Sequence, residues 1–149
     1  MRWTNKRILS DAKLIDLIEQ LSGQTLSKEN ISDDTMGAGF EFLVKEFAQD
    51  TGHTAADFYT NRTVIDLVLE LANPQPGESI YDPACGSGGF LLKTALYLKN
   101  KGKEYRNLKL YGQELKVFTT SVARINMLMH GIDEFTFTSG NTIDKPQIL

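Results

Sequence analysis

The chain has 149 residues, of which 41% are hydrophobic and 23% charged, as in an ordinary globular protein with one core. Its net charge of −3 argues against strong DNA binding by this chain alone, and its single cysteine, Cys85, excludes internal disulfides and multi-cysteine zinc sites. No apolar run approaches the roughly 20 residues of a membrane span, and the N-terminus lacks a signal-peptide core, so we expect a cytoplasmic protein. We also expect no metal site.

The first 57 residues are predicted to form a small helical region. Ser10 precedes apolar residues at helical spacing and is predicted to cap the first helix. The polar stretch from Ser22 to Thr35 predicts a loop, and a second helix follows that ends near Gly52. The apolar positions of the two helices are Leu14, Leu17, Ile18 and Leu21, then Phe40, Leu43, Val44 and Phe47.

Residues 58–149 alternate between helical and strand patterns, which predicts a second domain. An amphipathic helix that carries Val64 and Leu67 comes first and is broken by Pro74 and Pro76. Strands are then predicted at 79–81, 108–113 and 135–138, with helices at 89–99 and 117–130 between them. This β-α-β-α-β order predicts an α/β fold with a parallel sheet and right-handed crossovers.

The strongest functional signal is the glycine-rich turn 82–90, which leaves the first strand and opens a helix. Ligands of such sheets bind outside the carboxyl ends of the strands. Gly86 and Gly88 let the backbone bend and approach a ligand, and Asp82 is an acceptor for a ligand ammonium or an ordered water. Leu91 replaces the third glycine of a dinucleotide fingerprint, which favours a ligand without a pyrophosphate. A purely structural turn is the alternative.

Three weaker signals accompany this turn. Glu114 follows the second strand, where an acid accepts the hydroxyls of a ribose, although a solvated loop acid is the alternative. Asn141 follows the third strand, where it serves either an adenine edge or a plain turn. Phe58 and Tyr59 precede a helix that Thr60 or Asn61 can cap, so they form either a pocket wall or a hydrophobic staple.

In their order and spacing these segments resemble the modification subunit of type I restriction–modification systems, an adenine-N6 DNA methyltransferase. The resemblance covers about residues 32–146 and includes Phe40–Leu43 and Asn126–Gly131. It implies a Rossmann-like fold that binds S-adenosylmethionine, with three parallel strands in the order 3-2-1. Asn61 departs from the family pattern, which has a proline at this position.

The resemblance also implies roles for individual residues. The segment that closes over the cofactor would comprise Asp57, Phe58, Tyr59, Thr60, Asn61 and Arg62. The loop on the methionine side would comprise Asp82, Ala84, Gly86, Ser87, Gly88 and Gly89. Glu114 would hold the ribose, and Asn141 would lie near the adenine.

The 149 residues contain no Asn-Pro-Pro-Phe or Asp-Pro-Pro-Tyr motif, which in such enzymes orients the target amine and stacks on the flipped base. We therefore expect no catalytic residue in this chain, and cofactor binding without methyl transfer. DNA and the specificity and restriction subunits are the expected partners in the whole assembly, and self-association along the edge of the first strand is expected for the isolated chain. The alternatives are a non-catalytic assembly module and a methyltransferase that acts on RNA or on a protein glutamine.

Overall fold

The structure is a computed structural model that describes residues 10–23, 25, 27, 29–50 and 60–148, with the backbone alone for residues 47–50. It divides into two compact units, Met1–Ser32 and Asp33–Leu149. Among the described helices, none combines the length and the apolar character that crossing a membrane requires. The boundary predicted near residue 57 stays a prediction; by compactness the chain divides after Ser32.

Helix α1, Asp11–Ser22, is the element described in the first unit. Its predicted cap is confirmed, because the Ser10 hydroxyl accepts a hydrogen bond from the Lys13 amide at 3.4 Å. In the second unit, helix α2 spans Asp33–Asp50 and begins inside the stretch that the sequence assigns to a loop. Two adjacent acids, Asp33 and Asp34, occupy its first turn and stabilise the positive end of the helix dipole, which accounts for the earlier start.

Helix α3, Arg62–Ala72, has both ends fixed by asparagines. The Asn61 side chain accepts a hydrogen bond from the Thr63 amide at 2.9 Å, so Asn61 rather than Thr60 is the cap. Asn73 ends the helix in the left-handed conformation, at φ 42°, and Pro74 follows. Ile65 and Leu69 form the buried side of the helix.

The sheet has three parallel strands in the order β1-β2-β3, which confirms the predicted order 3-2-1. They are β1, Ser79–Asp82; β2, Lys109–Glu114; and β3, Phe135–Ser139. The crossovers are α4, Gly89–Asn100, and α5, Val117–Met129. In the described residues β1 pairs with β2 alone, and self-association along this edge stays a prediction.

The register aligns the carboxyl ends of the three strands. Asp82 lies opposite Gly112, and Glu114 lies opposite Ser139. Since all strands run in the same direction, the segments that follow β1, β2 and β3 meet at one edge of the sheet.

The core lies between the sheet and the crossover helices. Leu91, Leu92, Ala95 and Leu98 form the inner side of α4, and Ala123 and Met127 form that of α5. Leu110 and Phe137 contribute from the sheet. Each of the two crossover helices therefore buries one apolar side in the core.

Helix α2 packs against α5 within the second unit. The ring of His130, at the C-terminal cap of α5, is 7% exposed and lies where Gly37 of α2 has no side chain. Glu41, one turn further along α2, faces the same ring, with its Oε1 3.7 Å from Nε2 of His130. Burial lowers the pKa of His130 below its usual range, so the ring is neutral near pH 7.

Candidate cofactor site

The glycine-rich turn has the backbone conformation that its composition predicts. Gly86 and Gly88 both adopt positive φ, at 54° and 78°, which side-chain-bearing residues rarely do. The Gly88 amide donates to the Cys85 carbonyl at 2.8 Å, and α4 begins immediately afterwards at Gly89. A Cβ atom at Gly89 would meet no atom within 4 Å, so the turn borders open space at the start of the helix.

Asp82 brings a partly buried carboxylate to the carboxyl end of β1. Its Oδ1 accepts a hydrogen bond from the Ala84 amide at 3.0 Å, which stabilises the charged form. Burial nevertheless raises the pKa of this carboxyl above its usual value, and the negative charge of Glu114 raises it further. A cationic group bound beside Asp82 would offset both effects, which suits this site to a ligand ammonium.

Glu114 joins the end of β2 to the glycine-rich turn. Its Oε2 accepts a hydrogen bond from the Gly86 amide at 3.2 Å, and its Oε1 accepts one from the Lys116 amide at 2.9 Å. These bonds fix the carboxylate at the edge of the sheet, and each oxygen retains a second lone pair. The carboxylate can therefore accept further hydrogen bonds from a diol without rearranging.

The segment after β3 lies against the same turn. Thr142 donates its hydroxyl to the carbonyl of Pro83 at 2.6 Å. The exposed Asn141 side chain closes a local turn, in which its Oδ1 accepts from the Ile143 amide at 3.1 Å and its amide donates to Asp144 at 2.6 Å. The residues predicted after all three strands are thus brought together at one edge.

The predicted segment 57–62 is described only in its second half, because Asp57, Phe58 and Tyr59 lie outside the described residues. Thr60 and Asn61 are exposed at the entry to α3. The guanidinium of Arg62 forms an ion pair with Glu41 of α2 at 2.7 Å. Arg62 thus contacts α2, and the predicted role of Arg62 in cofactor binding stays a prediction.

Cys85, inside the turn, has the properties of a packed residue. Its side chain is 5% exposed, and burial raises the pKa of its thiol to about 12, with the charges of Asp82 and Glu114 adding to the effect. At neutral pH the sulfur therefore stays protonated and is a poor nucleophile.

Two buried polar residues that bond to this edge are absent from the predicted site residues. Gln113 is fully buried, and its side chain bonds to the segment after β3. Asn126 of α5 is 5% exposed and donates from Nδ2 to the carbonyl of Ser87 at 3.1 Å, which fixes the glycine-rich turn from the helix side. A polar residue inside a buried strand, as at Gln113, was the available signal, because such groups require partners.

The groups at this edge suit S-adenosylmethionine. Open space at the start of α4 accepts a ligand that approaches the backbone, and the half-buried Asp82 suits a ligand ammonium. Glu114 presents anchored oxygens of the kind that a ribose diol bonds to.

Comparison with known proteins identifies the family of the chain. A family model described as N-6 DNA Methylase matches residues 31–149. The methylase subunit of the type I restriction enzyme HindI, from Haemophilus influenzae, is 32% identical over 115 residues, which is 76% of this chain and 26% of that protein. The MpnII methylase subunit of Mycoplasma pneumoniae is 34% identical over 129 residues, 84% of this chain and 23% of that protein. The chain thus spans about a quarter of the length of these curated relatives.

Among solved structures, the methyltransferase subunit of a type I restriction–modification system from Streptococcus thermophilus superposes with a TM-score of 0.72 at 25% identity, covering 92% of this chain and 29% of that one. The predicted fold class, a Rossmann-like methyltransferase fold, is confirmed, and S-adenosylmethionine is the cofactor of this class. The resemblance drawn from the motifs is confirmed as well: the chain belongs to the N-6 DNA methylase family.

Proposed function

We propose that this chain is the S-adenosylmethionine-binding part of an adenine-N6 DNA methyltransferase subunit of a type I restriction–modification system. The observation that carries the proposal is the hydrogen bond from the Gly86 amide to the Glu114 carboxylate. It connects the residue predicted to bind the ribose with the loop predicted to bind the cofactor. The family match and the type I methylase subunits among the relatives support the same interpretation.

Each group at the edge has a separate task in this proposal. Asp82 pairs with the ammonium of the methionine part, where a positive charge relieves the cost of its burial. The turn at Gly86 and Gly88 gives the ligand access to the backbone. Glu114 accepts the ribose hydroxyls, and Asn141 bonds to the edge of the adenine. The bound cofactor supplies an electrophilic methyl group, and these residues only bind and orient it.

We assign no residue of this chain to the methyl-accepting side of the reaction. Transfer to an adenine requires a group that orients the amine and a platform for the flipped base, and the 149 residues contain no Asn-Pro-Pro motif for either task. DNA, specificity and restriction subunits are proposed partners of the whole protein. The relatives are named as subunits of type I restriction enzymes, which supports this proposal.

Replacement of Glu114 by alanine is expected to weaken the binding of S-adenosylmethionine. The change removes charge-assisted hydrogen bonds to the ribose, which contribute about 1.5–3 kcal/mol, so the Kd should rise about 10- to 150-fold. Isothermal calorimetry on the purified chain measures the effect.

The matched control is Glu134→Ala, which removes an exposed carboxylate at the opposite, amino end of the sheet. Its Kd should equal that of the unmodified chain. Equally tight binding by the Glu114→Ala variant would contradict the ribose assignment. No measurable binding by the unmodified chain would instead favour the assembly-module alternative.

Methyl transfer by the purified chain alone is expected to be absent, because its sequence contains no Asn-Pro-Pro motif to position the acceptor adenine. The assay measures incorporation of labelled methyl groups into DNA, and a Gly86→Ala/Gly88→Ala double variant supplies the background. Incorporation above that background would show that the chain itself holds an acceptor site.

A further inference from the structure

Gln113 uses every hydrogen-bonding position of its side-chain amide. Its Nε2 donates to the carbonyls of Gly140 at 3.3 Å and Lys145 at 3.0 Å. Its Oε1 accepts from the Tyr81 hydroxyl at 3.2 Å and from the Gln147 amide at 2.9 Å. A primary amide has two donors and two strong acceptor positions, so no other side chain of this size replaces it without leaving a partner unsatisfied.

These bonds fold the segment 140–147 back against the end of the sheet. Two further contacts support the same shape. Within the segment the Lys145 amide donates to the Asn141 carbonyl at 2.9 Å, and the Gln147 side chain donates to the carbonyl of Ser139, the last residue of β3, at 3.0 Å. Gln113 is itself fully buried, so its hydrogen bonds are shielded from competing water.

The main chain of Gln113 reaches the other side of the site. Its carbonyl accepts a hydrogen bond from the Cys85 amide at 3.0 Å, and Cys85 lies within the glycine-rich turn. Gln113 therefore connects the segment after β1 with the segment after β3, and the next residue in the chain is Glu114. The Asn141 side chain is bonded within a local turn, to the Ile143 amide and to Asp144, and Gln113 holds the segment that carries this turn.

We propose that Gln113 is a positioning residue for cofactor binding: it holds the segment 140–147 so that Asn141 presents its side chain to the adenine, without contacting the cofactor itself. The inference rests on the proposed function, because it takes the adenine role of Asn141 from there. It adds that recognition of the base depends on a buried side chain in the neighbouring strand.

A double-mutant cycle tests this coupling in the purified chain, with S-adenosylhomocysteine as the probe and its Kd from calorimetry as the readout. Asn141→Ala is expected to raise the Kd about tenfold in the unmodified chain, as for the loss of one good hydrogen bond. In a Gln113→Met background the same change should raise the Kd less than twofold, because Asn141 is no longer held in place.

The control background is Gln75→Met, which makes the same chemical change at the amino end of the sheet, where Gln75 bonds to Asn73 and Lys103. There Asn141→Ala should keep its tenfold effect. If the Gln113→Met chain does not fold, Gln113→Asn replaces it, since this variant keeps a neutral amide but is too short to reach all four partners.

The outcomes distinguish the adenine contact of Asn141 from the positioning role of Gln113. An equal fold-change for Asn141→Ala in the Gln113 and control backgrounds would overturn the positioning role while leaving the adenine contact in place. An unchanged Kd for Asn141→Ala in the unmodified chain would overturn both the adenine contact and the positioning role, while the ribose assignment is decided separately by Glu114→Ala.

Discussion

Gly112→Ala is expected to lower the free energy of unfolding by about 1–3 kcal/mol. Gly112 lies in β2, and an added Cβ would stand 2.8 Å from the Cys85 sulfur and 2.8 Å from Cδ1 of the Phe137 ring. Both neighbours belong to the buried core, with exposures of about 5% each, so neither side chain has room to move away. Urea denaturation followed by circular dichroism measures the change.

The same variant should also weaken cofactor binding, because the sulfur that the methyl group displaces belongs to the glycine-rich turn. For the stability measurement alone, the matched control is Gly89→Ala, where an added Cβ meets nothing within 4 Å. Gly89 is the first residue of α4, and alanine is the better helix former, so the stability of that variant should be unchanged or slightly higher. Equal urea midpoints for the Gly112 and Gly89 variants would show that β2 does not pack as described.

The sheet and its crossovers could be predicted because their signals are local. The alternation of strand and helix patterns predicts the strands and the helices α4 and α5, and glycines two residues apart, Gly86 and Gly88, predict the positive-φ turn. The predicted strand 79–81 extends by one residue to Asp82, and the predicted strand 108–113 is shifted by one residue to Lys109–Glu114. Such shifts are small because the boundaries depend on pairing with a neighbour rather than on composition.

The position of Glu114 could be predicted because an acid that directly follows a strand lies at the ligand edge of a parallel sheet, whereas its role in binding stays a prediction. Glu114 meets the glycine-rich turn as the motif order indicates, through a hydrogen bond across 28 positions of the chain. The role of Gln113 could not be predicted, because its side chain bonds to four partners that are distant in sequence, including Tyr81 and Gln147. A periodic sequence pattern does not indicate such a hydrogen-bond network. The only indication is an amide side chain inside a buried strand, because such a group requires partners.

The position of α2 likewise could not be read from its sequence. Its apolar residues indicate a helix but not the surface that it covers. The contact with α5 depends on a glycine at one position of α2 and a histidine at the end of α5, which are 93 residues apart in sequence. The predicted helix 117–130 ends at His130, which is the C-terminal cap of α5 in the structure, whereas the burial of its ring depends on the packing of α2.

Gly37→Ala is expected to destabilise this packing by about 1–3 kcal/mol, less the gain of about 0.5–1 kcal/mol that alanine brings to a helix interior. An added Cβ at Gly37 would overlap the ring of His130. The ring is 7% exposed and faces Glu41, so it cannot swing into solvent without opening the contact between α2 and α5. Thermal and urea denaturation of the purified chain both report the loss.

Gly39→Ala is the matched control on the same helix, two residues away. Its Cβ would meet nothing within 4 Å, so only the helix-propensity term remains and the variant should be more stable by about 0.5–1 kcal/mol. Because the two variants should change the free energy of unfolding in opposite directions, they separate the packing effect from the helix-propensity effect. In a His130→Ala background, where the ring is absent, Gly37→Ala should lose most of its cost. If the cost were the same in both backgrounds, α2 would not be packed on the His130 ring.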